Sequence, residues 1–428
     1  MNGALKKLFG EIPSEWKIRK LADATEVIVD GTHFTPKYTK VGIPFLRVTD
    51  LKNKIIDLED VKYISKREHL ELIKRCKPQI GDILLSKNGT IGITKIIDWH
   101  WEFSIFVSLA IIRTKQDLLN NGFLKFFFNS AYLEKQIQLQ VKQGTVTNLH
   151  LEEIRKFMIP LPPLFEQKKI ASILKSIDDK LENITAQINE YTNLKKGLMQ
   201  KLLVKGIGHT KFKDSPLGQI PEEWELVKLG DILSVKHGFA FQGEKFTKIP
   251  NENLLLTPVN FSIDGGIKFV WEKQKFYSGE FPKEYILYEG DLIVAMTDLT
   301  QDCNILGSPA IIPDSNFKYL HNQRLGLVNI FDIAKVDKLF LFYIFNDRHY
   351  REFLRNTKTG STVSHTSPKT IYEVNITLPG ISEQQKIATI LSSVDTKIES
   401  LQTKNEEYTQ LKKGLMEKLL TGKIRVKV

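Results

Sequence analysis

Residues that match known catalytic or cofactor-binding motifs are scarce in this chain. The glycine loop that binds nucleotide phosphates, GxxxxGK[ST], is absent, and so are the GxGxxG dinucleotide motif and the HExxH zinc pair. The nine histidines are scattered, and the two cysteines lack the paired spacing of a zinc site. We therefore expect no catalytic residues, no metal and no cofactor bound by this chain.

Two short motifs invite a chemical interpretation. LPPL at 161–164 has the paired prolines of adenine-N6 methyltransferases, whose motif starts with a polar residue and ends with an aromatic one that stacks on a flipped base. Leu161 and Leu164 can do neither, so we interpret the segment as a connector from a strand to a helix. Asp298 and Asp302 in TDLTQD could hold a metal, but no third ligand is in view, and a hydrogen-bonded loop is the competing interpretation.

A long internal repeat organises the elements that would position such residues. Residues 166–203 match residues 383–420 at 23 of 38 positions without a gap, and both copies contain the word LKKGLM. GEIPSEWKIRKLAD from Gly10 returns as GQIPEEWELVKLGD from Gly218. The segments between these anchors diverge, so the sequence predicts a duplicated frame that carries different inserts.

The matched segments have the pattern of long helices. In the first copy, apolar residues alternate steps of four and three, as in the seam of a coiled coil, at Ile170, Leu174, Ile177, Leu181, Ile184, Ile188 and Tyr191. Proline or glycine precedes each copy, which predicts a defined start. A helix of this length spans roughly 57 Å, more than one small domain covers. We therefore expect the two copies to pair, although each could instead pack on its own domain.

Connectivity predicts how the helices pair. Only about 14 residues separate the first helix from the second globular region, so that region must begin where the first helix ends. The second helix must then run back toward the first region, which makes the pair antiparallel and relates the two halves by a pseudo-twofold. The same arrangement brings the C-terminal tail, GKIRVKV, close to the N-terminus.

The globular regions are rich in strand signals. Runs such as ILLS and SLAII are separated by turns such as KNG, and a helical stretch follows in each half, at 122–141 and at 338–356. We predict an α+β fold with two strand-rich domains that are joined by two long helices forming an antiparallel coiled coil.

Charge suggests a polyanionic partner for only part of the chain. The formal net charge is +11; residues 1–165 contain 25 basic and 18 acidic side chains, whereas residues 204–382 contain 20 and 21. A basic surface attracts phosphate, although many cytoplasmic proteins are mildly basic for other reasons. Two cysteines indicate a reducing compartment, and no apolar run approaches the roughly 20 residues that span a bilayer. We expect a cytoplasmic protein without a membrane partner.

The chain contains one set of sequence motifs twice, in the same order, and in this it resembles the DNA specificity subunit of type I restriction-modification systems. The resemblance is carried by G-x-I-P-x-x-W, L-P-x-x-x-E-Q-x-K-I-A-x-I-L and Y-T-x-L-K-K-G-L-M-x-K-L-L, and it spans nearly the whole chain. It implies the following division: 1–160 target recognition domain 1, 161–205 spacer helix 1, 206–220 linker, 221–378 target recognition domain 2, 379–422 spacer helix 2 and 423–428 C-terminal tail.

The resemblance also implies a function and partners. Such a subunit recognises a bipartite double-stranded DNA site with a fixed unread gap, has no catalysis of its own, and recruits two methylation subunits and the restriction subunits. S-adenosylmethionine, ATP and Mg²⁺ are then expected in the partner subunits. A stand-alone methyltransferase would need the glycine and aromatic motifs that are absent. A coiled-coil scaffold or adaptor without sequence readout is the other competing interpretation.

Loop chemistry selects the residues that we expect to contact DNA. Arginine forks onto guanine, asparagine and glutamine pair with adenine, and lysine more often binds phosphate. The candidates are Thr32, His33, Lys37, Tyr38, Arg47, Thr49, Lys87 and Asn88 in the first domain, and His237, Phe239, Gln242, Thr297, Asp298, Thr300, Gln301 and Arg324 in the second. For each residue, a solvated loop position or an internal hydrogen bond is the alternative.

Polar loops after the helical stretches are the predicted sites of partner docking. The residues are Gly144, Thr145, Thr147 and Asn148 in the first half, and Gly360, Ser361, Thr362 and Ser364 in the second. The exposed faces of the long helices are further candidates.

Overall fold

The chain forms two compact units, each with one globular region and part of each long helix. The computed structural model describes residues 7–53, 55–140, 148–300, 302–360 and 362–426. Unit 1 consists of Met1–Ala186 and Gln402–Val428, and unit 2 of Gln187–Leu401. Within the described ranges, no helix is long and apolar enough to cross a membrane.

Unit 1 combines short strands with helices. Its strands are β1 (Lys17–Lys20), β2 (Thr25–Asp30), β3 (Tyr38–Thr39), β4 (Ile43–Leu46), β5 (Lys62–Ile64), β6 (Ile83–Ser86), β7 (Thr94–Ile96), β8 (Ser104–Ile105), β9 (Leu109–Thr114) and β10 (Met158–Leu161). Its helices are α1 (Lys66–Leu72), α2 (Asn121–Phe128), α3 (Ala131–Gln140), α4 (Leu151–Arg155) and the start of α5 (Leu164–Lys205), with 3₁₀ turns at Leu21–Ala24 and Val48–Leu51.

Two four-stranded sheets and a strand pair make up the β structure of unit 1. The first sheet has the order β2-β9-β6-β7, the second has the order β3-β5-β4-β8, and β1 pairs with β10. Strand β6 is buried on both faces because its apolar residues serve two cores. Ile83 and Leu85 pack in the core that contains the helices, whereas Leu84 packs in the core shared with the second sheet.

Unit 2 repeats this plan with longer inserts. Its strands are β11 (Phe212–Ser215), β12 (Gly218–Pro221), β13 (Glu225–Lys228), β14 (Leu233–His237), β15 (Phe246–Thr247), β16 (Asn253–Leu256), β17 (Lys275–Tyr277), β18 (Ile286–Leu287), β19 (Leu292–Ala295), β20 (Thr297–Asp298), β21 (Pro309–Ile311), β22 (Lys318–His321), β23 (Leu325–Ile330), β24 (Ser364–His365) and β25 (Asn375–Leu378). Its helices are α6 (Leu229–Ile232), α7 (Lys338–Asn346), α8 (Arg348–Asn356), α9 (Pro368–Tyr372) and the first half of α10 (Ile381–Leu419), with 3₁₀ turns at Gly243–Lys245, Pro258–Asn260, Trp271–Lys273 and Lys283–Tyr285.

The sheets of unit 2 correspond to those of unit 1. The order β14-β23-β19-β21 matches the first sheet, β15-β17-β16-β22-β18 matches the second with one more strand, and β13 pairs with β25 as β1 does with β10. The remaining strand pairs are β11-β12 and β20-β24. Hairpin β11-β12 lies largely within 206–220, the segment expected to be a linker.

Each predicted helical stretch is two helices in the structure. The predicted stretch at 338–356 is helical but is divided at Asp347, which leaves the helical conformation and caps α8 by accepting a hydrogen bond from the His349 N–H at 2.9 Å. The stretch at 122–141 is likewise divided into α2 and α3 around Asn129, whose backbone departs from the helical region. The chain can thereby turn the second helix onto the core.

Within each unit, the two long helices run in opposite directions. In unit 1, the Lys412 ammonium lies 2.5 Å from Asp178, and the Asn405 amide donates to the Thr185 hydroxyl at 3.1 Å. Residue numbers thus rise along α5 as they fall along α10. The seam residues Ile170, Leu174, Ile177 and Ile184 are buried. The predicted antiparallel pairing is confirmed.

The repeated Glu-Gln pair fastens the start of each long helix. In unit 1, the Gln167 amide donates to the carbonyls of Leu118 and Pro162 at 2.9 Å. Glu166 is buried and forms an ion pair with Arg425 of the C-terminal tail, and Arg425 also donates to Glu15 at 2.9 Å. The predicted proximity of the tail to the N-terminal segment is therefore confirmed.

Glu383 makes the corresponding contacts in unit 2. Its carboxylate accepts from the Trp224 indole at 3.0 Å and lies 2.9 Å from the His209 ring. Arg425 and His209 follow the same repeated helix end, so the two helix starts are held alike, by an arginine in unit 1 and by a histidine in unit 2.

Candidate nucleic-acid interface

A tight backbone crossing lies at the end of the first sheet of unit 1. The Gly31 N–H donates to the Leu109 carbonyl at 3.3 Å, and the Thr32 N–H donates to the Ile105 carbonyl at 3.1 Å. The Val107 N–H returns a bond to the Thr32 carbonyl at 3.0 Å. A Cβ on Gly31 would lie 2.0 Å from the Ile105 carbonyl oxygen, so only glycine permits this approach.

Unit 2 contains the same crossing. The Gly238 N–H donates to the Leu325 carbonyl at 3.3 Å, and the Phe239 N–H donates to the His321 carbonyl at 2.8 Å. The Gln323 N–H donates to the Phe239 carbonyl at 3.0 Å. A Cβ on Gly238 would lie 2.2 Å from the backbone oxygen of Asn322. The DGTHF loop of unit 1 and the HGFAF loop of unit 2 are therefore structurally equivalent.

A second loop joins the crossing in each unit. In unit 1, the backbone N–H of Lys87 donates to the Ser108 carbonyl at 2.9 Å, and the Leu149 N–H donates to the Lys87 carbonyl at 2.7 Å. Asn88 and Asn148 pair across an antiparallel bridge. We call this set, residues 31–34, 86–88, 105–109 and 148, the loop end of unit 1.

The loop end of unit 2 consists of residues 238–241, 295–298, 321–325 and 364–365. The Met296 N–H donates to the Arg324 carbonyl at 2.9 Å, and the Thr366 N–H donates to the Met296 carbonyl at 3.0 Å. Strand β20 pairs with β24. Among the described docking candidates, Asn148 therefore lies beside Asn88 in unit 1, and Ser364 lies beside Asp298 in unit 2.

The docking candidates are only partly described. Asn148, Gly360 and Thr362 are exposed and Ser364 is buried. The remaining docking candidates, Gly144, Thr145, Thr147 and Ser361, lie outside the described residues.

Half of the DNA-contact candidates of unit 1 are exposed. His33, Lys37, Tyr38 and Thr49 present side chains to solvent. Arg47 is half-buried, and its guanidinium forks onto Asp50 at 3.2 and 3.0 Å, which raises the pKa of Arg47. A guanine contact by Arg47 would have to compete with that carboxylate.

Asp30 organises the buried charge at the loop end of unit 1. Its carboxylate lies 2.6 Å from Arg75, 3.2 Å from His33 and 3.3 Å from Lys87. The Lys87 side chain is only 4% exposed, so a base contact by Lys87 would require this ion pair to open. Thr32 is buried, and Asn88 is half-buried with its Oδ1 enclosed and without a hydrogen-bond partner.

Unit 2 exposes a different set of candidates. His237, Gln242, Thr300 and Arg324 are exposed, whereas Gln301 lies outside the described residues. Phe239 is half-buried, with its ring 5.1 Å from the ring of Phe241 and 5.3 Å from that of Tyr285. Thr297 is buried.

Asp298 holds a loop together. Its fully buried carboxylate accepts backbone N–H bonds from Thr300 at 2.7 Å, Ile305 at 2.6 Å and Leu306 at 3.1 Å. Asp302 is exposed on the same loop. In the described part of the chain, no cluster of three or more metal-ligating side chains occurs. The hydrogen-bonded loop is the interpretation that these contacts favour.

Several residues of the loop ends escaped the sequence analysis. Ser108, Gln323 and His365 occupy positions equivalent to, or beside, the predicted residues. The polar run HNQR at 321–324 indicates a candidate contact segment in the sequence, but Arg324 is its one predicted DNA-contact residue. The aligned IFVS at 105–108 is mostly apolar and carried no such signal, because only the backbone crossing reveals its position.

Comparison with known proteins identifies the family. The model described as the type I restriction modification DNA specificity domain matches twice, at residues 13–193 and 221–410. The chain belongs to this family. The two matches coincide with the two copies of the repeat, so the predicted resemblance is confirmed.

Relatives match along their whole length. The MjaVIII specificity subunit of a type I restriction enzyme from Methanocaldococcus jannaschii is 28% identical, with 99% of this chain and 96% of the relative covered. The putative MjaX specificity subunit of the same organism is 29% identical, with the same coverage. Specificity subunit is therefore the name carried by both of these full-length relatives.

Solved structures agree in fold. The S subunit of a type I restriction-modification system from M. genitalium aligns with a TM-score of 0.60 at 15% identity, covering 96% of each chain. A chain from an assembly of the type I R-M system aligns with a TM-score of 0.56 at 16% identity, covering 97% of this chain and all of the other. The predicted fold of strand-rich domains and long helices is thus found in solved members of such systems.

Proposed function

We propose that this chain reads a two-part DNA site, one part with each unit, as the non-catalytic specificity subunit of a type I restriction-modification enzyme. The observation that carries the proposal is the loop end built twice. The same crossing and the same paired loops recur, but the loop end of unit 1 exposes His33 and Asn148, whereas that of unit 2 exposes Gln323 and Arg324. Lys37, Thr49 and Gln242 are exposed outside the loop ends. One frame with two sets of exposed side chains suits two different half-sites separated by a fixed unread gap.

The exposed side chains suggest how each half-site is read. Arg324 can fork onto guanine, and Gln242 can pair with adenine in the major groove. Lys37 suits a backbone phosphate, which positions the unit without reading sequence. Because unit 2 is nearly neutral, part of its phosphate binding would come from partner subunits.

The long helices support the docking of two copies of one partner. Leu194 is 47% exposed and its repeat Leu411 is 49% exposed. One turn later, Gly197 and Gly414 lie within the helices, and a Cβ on either would meet open space. Glycine costs about 1 kcal/mol in a helix, and internal packing does not require it here. A matched Leu-Gly face in each unit suits two identical methylation subunits that approach the helix closely.

The remaining chemistry belongs, in this proposal, to the partners. Two methylation subunits would bring S-adenosylmethionine and methylate adenine N6, and restriction subunits would use ATP and Mg²⁺. This chain would bind none of these cofactors, and the complex would act on DNA in the cytoplasm.

A modification map tests the proposal. DNA would be sequenced for N6-methyladenine from cells that express this chain with the adenine methylation subunit of the same system. The expected result is a two-part motif with a fixed gap and one methylated adenine on each strand. A single continuous motif, or methylation that is independent of this chain, would instead indicate a coiled-coil scaffold without readout.

A further inference from the structure

An exposed aromatic ring stands on the loop end of unit 1. Phe34 is 61% exposed. Its position is nevertheless well defined, because the Phe34 N–H donates to the Thr32 hydroxyl at 3.3 Å and that hydroxyl donates to the Phe34 carbonyl at 3.3 Å. Thr32 itself is held by the backbone crossing beside Gly31. A large apolar side chain is therefore presented to solvent by a constrained turn.

The equivalent residue of unit 2 is buried. Phe241 occupies the same place in the HGFAF loop, is 6% exposed, and packs its ring 4.9 Å from Tyr277 and 6.0 Å from Phe281. The fold thus can accommodate a phenylalanine at this position within its own core. In unit 1 the ring stays outside, where it gains little from folding. The exposure points to a role outside the chain.

The neighbours of Phe34 indicate which role. His33, Thr35 and Lys37 are exposed beside it, in the half of the chain with the larger excess of basic residues. A phenyl ring cannot hydrogen-bond to base edges. Among the base edges of the major groove, only thymine offers an apolar group, its 5-methyl. We propose that Phe34 reads a thymine in the half-site of unit 1 by packing against this methyl group, an assignment that rests on the proposed function.

Uracil substitution tests the assignment, because uracil differs from thymine only by the missing methyl group. The full chain would be assembled with its methylation subunits, and binding would be measured to duplexes in which each thymine of the mapped half-site is replaced singly by uracil. We expect one position to lower the affinity of the wild-type complex about tenfold. Phe34→Ala should lower the affinity for the thymine duplex by a similar factor. The variant should then bind the uracil duplex and the thymine duplex with equal affinity, because the contact with the methyl group is already lost.

Ile80→Ala is the matched control. Ile80 is 59% exposed and precedes strand β6, at the end of the sheet opposite the loop end. This variant should bind as the wild type does and retain the uracil effect. Phe34→Leu, which keeps an apolar side chain, should retain part of the discrimination.

Three outcomes would overturn the assignment. They are a mapped half-site without thymine, an Ala variant with wild-type affinity, and an Ala variant whose loss is the same on thymine and uracil duplexes at every position while the wild type discriminates between them. The last result would indicate a wedge or a general packing role. A wild-type complex that fails to distinguish the mapped site from a scrambled one would overturn the proposed function as well, which separates the two failures.

Discussion

The Lys195 ammonium lies 2.6 Å from the Asp395 carboxylate, and both side chains are largely buried. The same carboxylate accepts a hydrogen bond from the Tyr343 hydroxyl at 2.8 Å. At the equivalent positions of unit 1, the Lys412 ammonium lies 2.5 Å from the Asp178 carboxylate. In each unit, therefore, the first lysine of LKKGLM is tied to an aspartate of the other long helix, which is one physical reason why the word occurs twice.

Removal of that lysine should destabilise unit 2. We expect Lys195→Met to lower the free energy of unfolding by about 1–2 kcal/mol, because Asp395 would remain largely buried without its cation. Lys175→Met is the control, since Lys175 pairs with Asp179 on the exposed surface of one helix, where water screens the pair, and its loss should change the stability much less. Urea unfolding of both variants measures the difference, and equal losses would contradict the prediction.

Acid should destabilise unit 2 through His321. Burial, aided by the nearby Lys236 and His237, lowers the pKa of His321 from 6.5 to about 4, although the hydrogen bond to the Leu325 carbonyl opposes the shift. As pH falls from 7 to 5, the unfolded chain takes up a proton that the folded chain refuses. This single group should therefore reduce the free energy of unfolding by about 2 kcal/mol over that range.

The variant His321→Gln checks this sign. Its urea unfolding at pH 7 and pH 5 should show a smaller loss than the wild type, because the titrating group has been removed. Gln323→Ala changes an exposed side chain of the same loop end that does not ionise, and it should keep the wild-type pH dependence. An unchanged slope in His321→Gln would mean that the folded chain takes up this proton as readily as the unfolded chain does, which would contradict the prediction.

Gly31 should not tolerate a side chain. A methyl group at this position would overlap the Ile105 carbonyl oxygen, which is backbone and cannot rotate away. We expect Gly31→Ala to cost about 3 kcal/mol or more and to abolish binding by unit 1. Gly243→Ala meets nothing within 4 Å and should be close to neutral. Thermal unfolding distinguishes the two variants, and similar melting temperatures would argue against the crossing as a constraint.

Gly197 should show the opposite behaviour in the isolated chain. Alanine there would meet open space and should stabilise helix α5 by about 0.5–1 kcal/mol. If the Leu-Gly face docks a methylation subunit, the same substitution should weaken assembly about tenfold. Co-purification and titration with the methylation subunit measure this opposition. A variant that is more stable and assembles normally would remove Gly197 from the docking surface.

Arg324 should determine one base of the second half-site. We expect Arg324→Ala to relax the requirement for a guanine at one position, a loss of about 1–3 kcal/mol in discrimination, and to leave the first half-site unchanged. The modification map of the variant reports both half-sites together. Arg348→Ala, which removes an exposed arginine paired with Glu352, should leave the motif as it was. A motif that is unchanged by Arg324→Ala would exclude Arg324 as a reader.

Local sequence patterns predicted the repeated frame well, since its signals are short-range. The heptad spacing from Ile170 and the proline connector before Leu164 mark a helix that the structure places at Leu164–Lys205. The break between α7 and α8 was less evident, because helix-forming residues lie on both sides of the cap at Asp347. Caps of this kind are single residues, and a periodic pattern does not record them.

The contact residues were harder to predict, because burial depends on partners far along the chain. Lys87 has the chemistry of a phosphate ligand, yet Asp30, which lies 57 positions earlier, holds it inside the unit. Asp298 resembles a metal ligand, yet its oxygens are taken by the backbone of its own loop. Phe34 and Phe241 are the same residue in equivalent loops and differ only in what surrounds them.

By itself, the sequence determined the duplication, the long helices and the family, because repeats and periodicities are properties of residue order. Tertiary structure alone decided which polar residues of each loop end face solvent. That choice depends on a crossing between segments about 75 residues apart, where Gly31 meets Ile105, and on the equivalent crossing at Gly238. Exposure is a property of the folded surroundings, and no short stretch of sequence contains them.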